Sequence, residues 1–251
     1  MAPPPSRPGF FSGVAAFFEG WSFLFFRPGL WGYALVPVII AALLLVTLGA
    51  AGVWATTALT HGLVHEPSSS DMSTVLGWLL RVVLGLVAIA VAFLLSTALA
   101  QPFSGFALEV LSRRQEEALG GVPQAGPSFF AGLVASLKVT LLGLAVGLPA
   151  LLALAFLSFL LPPLAVVTVP LKLYVIGLLA SWDFLDYPLT LRNMGLRARL
   201  NFMSSNFGVV SGFALTVACL LMVPGLGLLL LPLGVLGATR LVVRASKGGA
   251  P

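Results

Sequence analysis

The sequence predicts an all-α integral membrane protein, and three observations carry that expectation. Of its 251 residues, 59% are hydrophobic and 8% charged, against roughly a quarter charged in an ordinary soluble domain. No polar half exists that would supply a separate soluble domain, and a soluble fold of this length needs more polar surface to cover its core. Several apolar runs reach the roughly 20 residues a helix needs to cross a bilayer, and most Lys and Arg residues lie at the ends of those runs. The formal net charge of +5 therefore reads as a topology signal. A nucleic-acid surface would cluster its basic residues with interleaved aromatics, and none do so. Cys219 is the single cysteine, which excludes an intramolecular disulfide.

The chain begins "MAPPPSRPGFF", which lacks the charged start and short apolar core of a removable signal peptide, so none is expected. Residues 10–26 are aromatic-rich with Glu19 as their one charged residue, a composition suited to the headgroup layer or, nearly as well, to a helix packed in the core. Residues 33–59 and 73–100 are each long enough to span, with Pro37 near the start of the first, where a helix tolerates it. In residues 103–119, Phe103, Phe106, Val110 and Leu111 recur at helical spacing. Glu109, Arg113, Arg114, Glu116 and Glu117 take the other side, which predicts a cytoplasmic surface helix.

Residues 128–185 are apolar but interrupted at 147–149 and again at Pro162 and Pro163. Residues 189–205 form a basic linker. Residues 207–243 contain two short apolar runs around Pro224 and Gly225, which read either as a tight pair of tilted spans or as a hairpin that enters the bilayer without crossing it. Arg and Lys accumulate in cytoplasmic loops. Arg7 and Arg27, Arg113 and Arg114, the linker arginines, and Arg240, Arg244 and Lys247 all fall on one side, so both termini are expected in the cytoplasm.

Arg81, Lys138 and Lys172 are left inside apolar runs. If its run starts at Ser128, Lys138 lies about ten residues, or about 15 Å, along the helix, which makes it a candidate intramembrane charge. Asp183 and Asp186, three residues apart, are expected to form a structural charge cluster with Arg192, Arg197 or Lys172 at the cytoplasmic end of their helix. His61 and His65 are four apart beside Glu66, but no further ligand set accompanies them, and neither a metal nor a cofactor is expected. Nucleotide-binding, serine-hydrolase and zinc-protease patterns are absent, and with so few titratable groups to converge, no enzyme is expected.

The segment "WDFLDYPLTLRNMG", followed by "FGVVSGFA" and "VPGLGLLLLPLGVLGATRL", resembles the closing half of the CysZ-like family of sulfate permeases and their etoposide-induced-protein relatives. The shared features are Trp followed by Asp-Tyr-Pro, a basic linker, a Gly-Phe step, and two prolines ahead of Gly-Ala-Thr. "FFRPGLWGYALVPVIIAALL" is similar to that family's Pro-Gly-Leu approach to a spanning helix, and "AQPFSGFALEVL" to its Ala-Pro-Phe exit from the second. The resemblance runs from Phe10 to Arg244. It implies an interfacial N-terminal helix, two long spanning helices, and two helical hairpins that cross the bilayer partly or fully, assembled as homo-oligomers in a bacterial-type inner membrane.

In the transporter branch, the resemblance implies sulfate uptake for sulfur assimilation, with the anion bound at the Pro-Gly-Leu approach and the basic residues after it. Pro28, Gly29 and Leu30 match, whereas Trp31 and Gly32 stand where basic residues are usual, and Ala41 replaces a frequent Asn. The candidate anion site is thus Arg27, Gly29, Leu30, Trp31 and Gly32: amides at a helix start attract an anion, and Arg27 adds a charge. The missing basic pair would have supplied charge-assisted contacts. Two functions follow, transport of sulfate or a related anion, or a non-transporting membrane scaffold of the same fold. The partners expected are the lipid bilayer, the anion and further copies of the chain, with no nucleic acid.

Overall fold

A computed structural model describes residues 9–61, 72–121, 129–223 and 226–248. Every element among them is helical: α1 (Phe10–Phe25), α2 (Trp31–Thr60), α3 (Met72–Phe103), α4 (Gly105–Ala118), α5 (Phe129–Leu160), α6 (Ala165–Leu191), α7 (Leu196–Ser205), α8 (Phe207–Leu221) and α9 (Leu226–Gly248). Two 3-10 turns, Pro28–Leu30 and Pro162–Leu164, lead into α2 and α6. Both are set by the residue ahead of the proline. A following proline disfavours the α region, and Arg27 and Leu161 adopt φ −130°, ψ 80° and φ −130°, ψ 82°.

The polypeptide divides into two compact units, one comprising the chain up to Leu35 with that from Phe106 onward, the other Val36–Gly105. In the second unit α2 and α3 meet where Gly52 lies against Ala88, and Arg81 Nε donates to Thr60 Oγ1 at 2.9 Å. Arg81 therefore finds a polar partner at the end of α2 while its guanidinium carbon lies 5.7 Å from the centre of the Trp78 ring.

The first unit has its core among α1, α4, α6, α8 and α9, with Phe17, Leu108, Leu185, Phe213, Leu236 and Leu241 buried. Small residues let the helices approach, as they do where lipid removes the hydrophobic drive between helices. A Cβ on Gly20 of α1 would lie 2.5 Å from the amide nitrogen of Gly237 in α9, and one on Gly212 of α8 would strike the Phe10 carbonyl. Gly177 of α6 faces the Ala214 carbonyl of α8 in the same way.

Five helical segments are long and apolar enough to cross a membrane, or up to six if α7 and α8, bent by 89°, count as one. Only 11% to 17% of the apolar stretches of α2, α3, α5 and α6 is buried against protein, against 67% for α9. Helices that are apolar all round yet uncovered need a lipid solvent. The protein is a multi-pass membrane protein.

Two expectations from sequence need correcting. The amphipathic reading of residues 103–119 is rotated: Phe103 and Phe106 are exposed, whereas Leu111 is buried together with Ser112, Gln115 and Glu116. The buried face thus joins Leu108 and Leu111 to Ser112, Gln115 and Glu116, while Arg114 and Glu117 are exposed along with the two rings. The helix holding Asp183 and Asp186 also continues to Leu191. The carboxylates thus lie inside it, and residues 189–191 of the expected linker are its last turn.

Candidate functional site

Arg27 is exposed, and its guanidinium carbon lies 4.3 Å from the centre of the Phe23 ring. The 3-10 turn that follows uses amides the sequence had assigned to an anion: Leu30 N–H donates to the Arg27 carbonyl at 2.9 Å, and Trp31 N–H donates to that of Pro28. The Trp31 indole N–H donates to the Leu24 carbonyl at 3.0 Å. Gly29 and Gly32 remain exposed. An adjoining cavity of about 350 Å³ is lined by apolar side chains, among them Trp21, Phe25, Leu226 and Leu230, with no charged group. The turn offers one guanidinium and a reduced set of amides.

Lys138 and Asp183 belong to one layer of the α5–α6 pair. The two helices run antiparallel through the Pro162–Leu164 turn, and their register is fixed at both ends. Ser158 Oγ lies 2.5 Å from Thr168 Oγ1 near the turn, and Trp182 Nε1 donates to the Val139 carbonyl at 2.9 Å far from it. The Trp182 ring rests over Gly143, and Leu179 fills the space at Gly147. Lys138 and Asp183 each follow a residue of the second contact towards the same end. α5 begins at Phe129, nine residues before Lys138, which is exposed.

The expected cluster of Asp183, Asp186, Arg192 and Arg197 is partitioned differently. Asp186 pairs with Arg199, whose Nη2 donates to Thr190 Oγ1 at 2.9 Å and whose Nε donates to the Met194 carbonyl at 2.7 Å. Both members of the pair are buried. Arg192 instead reaches Glu116 Oε1 of α4, at 2.8 Å from Nη2 and 3.1 Å from Nε. Arg197 is exposed, and Asp183 is half-buried with no ion pair or hydrogen bond to a described residue. Lys172, eleven residues before Asp183 on the same face, does not meet it; eleven residues of helix span about 16 Å.

Backbone geometry explains this arrangement. Asn193 adopts a positive φ of 51° after α6, and Met194 N–H returns to the Leu189 carbonyl at 3.1 Å, a left-handed stop that Asn tolerates. The chain then folds back so that α7 carries Arg199 to Asp186 one way while Arg192 points to α4 the other.

Sequence reasoning missed the inward-facing residues of α4. Ser112 Oγ lies 2.8 Å from Thr239 Oγ1 of α9, and Glu116 is buried beside it on the same face. Serine three and four residues before Gln and Glu is the signal that could have found them, a polar stripe at helical spacing. Also missed was Glu19, whose Oε2 lies 2.5 Å from both Arg240 Nε and Arg244 Nη2 and ties α1 to α9. Among the described residues no group of three His, Cys, Asp or Glu side chains could hold a metal; His65 and Glu66 lie outside them.

The family described as sulfate transporter CysZ/etoposide-induced protein 2.4 matches residues 16–232. A sulfate transporter CysZ of Pseudomonas aeruginosa strain LESB58 is 28% identical over 230 residues, covering 88% of this chain and 90% of its own. That of Pseudomonas paraeruginosa is 29% identical over the same shares. The sulfate transporter CysZ of Pseudomonas syringae pv. tomato is 30% identical over 172 residues, 66% of each chain.

Proposed function

We propose, from the premise that this chain belongs to the sulfate transporter CysZ/etoposide-induced protein 2.4 family, that it carries sulfate across a bacterial inner membrane. The match of nearly the whole chain to relatives named as sulfate transporters carries the reading. Physical support comes from the uncovered apolar helices and from exposed basic side chains that form no ion pair with a described residue. Arg27 ahead of α2 and Lys138 in the N-terminal third of α5 would attract an anion and raise its local concentration, since basic groups steer ions of the other sign. The Gly29 amide at the same turn would add a donor. Both termini lie in the cytoplasm, as the positive residues at the run ends direct, and copies of the chain associate through apolar faces that lipid would otherwise cover.

One observation favours the scaffold reading: the Leu30 and Trp31 amides and the Trp31 indole are already bonded, which leaves the first candidate site with few donors. Ion flux separates the two. In planar bilayers holding the purified protein, sulfate conductance above the protein-free level, reduced by Arg27→Gln or Lys138→Gln, is the expected result. Folded protein with no conductance and no isotopic flux would leave the scaffold.

A further inference from the structure

The apolar cavity beside the Arg27 turn is built where four helix ends meet: the last turns of α1 and α8 and the first turns of α2 and α9. Ala34 and Leu230 form a buried floor, whereas Trp21, Phe25, Trp31 and Leu229 are exposed along its walls. Its volume of about 350 Å³ falls in the range of ligand pockets, and the exposed walls open it to the surroundings of the protein. Those surroundings are lipid wherever the uncovered apolar helices stand. An apolar groove left empty forfeits dispersion contacts, so an acyl chain is the natural filling.

The chain alone does not choose among lipids, because a groove of this kind is no more apolar than the bilayer the chain leaves. Charge makes the choice. Arg27 lies between the wall residues Phe25 and Trp31 and directly ahead of the apolar stretch Pro28–Thr60. It is exposed, and its guanidinium carbon is held 4.3 Å from the centre of the Phe23 ring. Among the described residues no carboxylate pairs with it, and Glu19, the one acidic residue of α1, is taken by Arg240 and Arg244. An unpaired guanidinium at the end of an apolar groove complements a phosphate joined to an acyl chain.

We propose that the groove binds an anionic phospholipid, with one acyl chain between α1, α2 and α9 and the phosphate paired with Arg27. The inference goes beyond the transport reading and does not depend on it. A phosphate diester and sulfate are both anions for Arg27, so a bound lipid withdraws that residue from a solute. One basic residue beside an anionic lipid corresponds to about a fivefold preference over a neutral one.

Photo-crosslinking of the whole protein in vesicles tests this. Phosphatidylglycerol and phosphatidylcholine carrying the same diazirine on one acyl chain are added in turn at equal fraction, and labelled residues are mapped by mass spectrometry. Labelling of the exposed side of α3, at Leu86 and Leu94, serves as the reference for bulk lipid. Relative to that reference, labelling at Trp21, Phe25 or Leu229 should be about fivefold stronger with phosphatidylglycerol. Arg27→Gln, at an exposed position, should bring the two lipids to parity, and Arg27→Lys should keep most of the preference. Equal labelling by the two lipids in the wild-type protein, or a preference that survives Arg27→Gln, overturns the site. Label on α3 with none in the groove means that protein, such as a second copy of the chain, covers it, and the inference fails. Sulfate uptake is read separately in the same vesicles, and its absence would count against transport while leaving the lipid result standing.

Discussion

Asp186 and Arg199 are both buried, and Arg199 is further held by Thr190 and the Met194 carbonyl. Removing one member of such a pair strands the other charge. Asp186→Ala should lower stability by about 3 to 5 kcal/mol, read as a fall in the thermal midpoint of the detergent-solubilised protein. The double variant Asp186→Leu with Arg199→Met should recover most of it, since an apolar pair of similar volume is often neutral. Trp182 is a milder case. Trp182→Phe deletes the bond to the Val139 carbonyl while keeping most of the ring, and the same melting assay should register about 1 kcal/mol. Sequence marked Asp183, Asp186 and Arg192 as a cluster but misassigned the partners. Spacing along one helix says which side chains share a face, while partners from α4 and α7 depend on the left-handed turn at Asn193, whose consequence is geometric rather than compositional.

At the scale of elements, α1 is held to the core by backbone contact. Gly20 and Gly237 leave no room for a Cβ, and Glu19 bridges to Arg240 and Arg244 at the next position. Gly20→Val should displace α1 from α9 at a cost of about 1 to 3 kcal/mol. A crosslink between cysteines placed at Ser22 and Arg240 should then form poorly, while equal crosslinking in the variant would mean that α1 docks by other contacts. The long helices were legible because length and apolarity alone identify a span. The orientation of α4 was legible only in part: Leu111 points inward as its spacing says, but Gln115 and Glu116 also face in, where Ser112 meets Thr239 and Glu116 meets Arg192, partners from α9 and α6 that spacing within one helix does not reveal.

For the whole molecule, four long helices present apolar sides that the other described residues leave largely uncovered. The family resemblance was legible from ordered motifs along the chain, and the match of residues 16–232 to that family agrees. What composition could not supply was the state of the candidate anion site at the start of α2. Whether the amides of residues 29–32 are open or bonded follows from the 3-10 geometry imposed by Pro28, and two of them are bonded. The turn therefore leaves fewer open donors for an anion than its sequence implies. The most direct measurement of the central claim is labelled sulfate uptake by proteoliposomes holding the purified wild-type protein, with protein-free vesicles alongside and unlabelled sulfate as competitor. Saturable uptake that the competitor suppresses is the predicted result; uptake equal to that of protein-free vesicles, from protein with its helical circular dichroism intact, would contradict it.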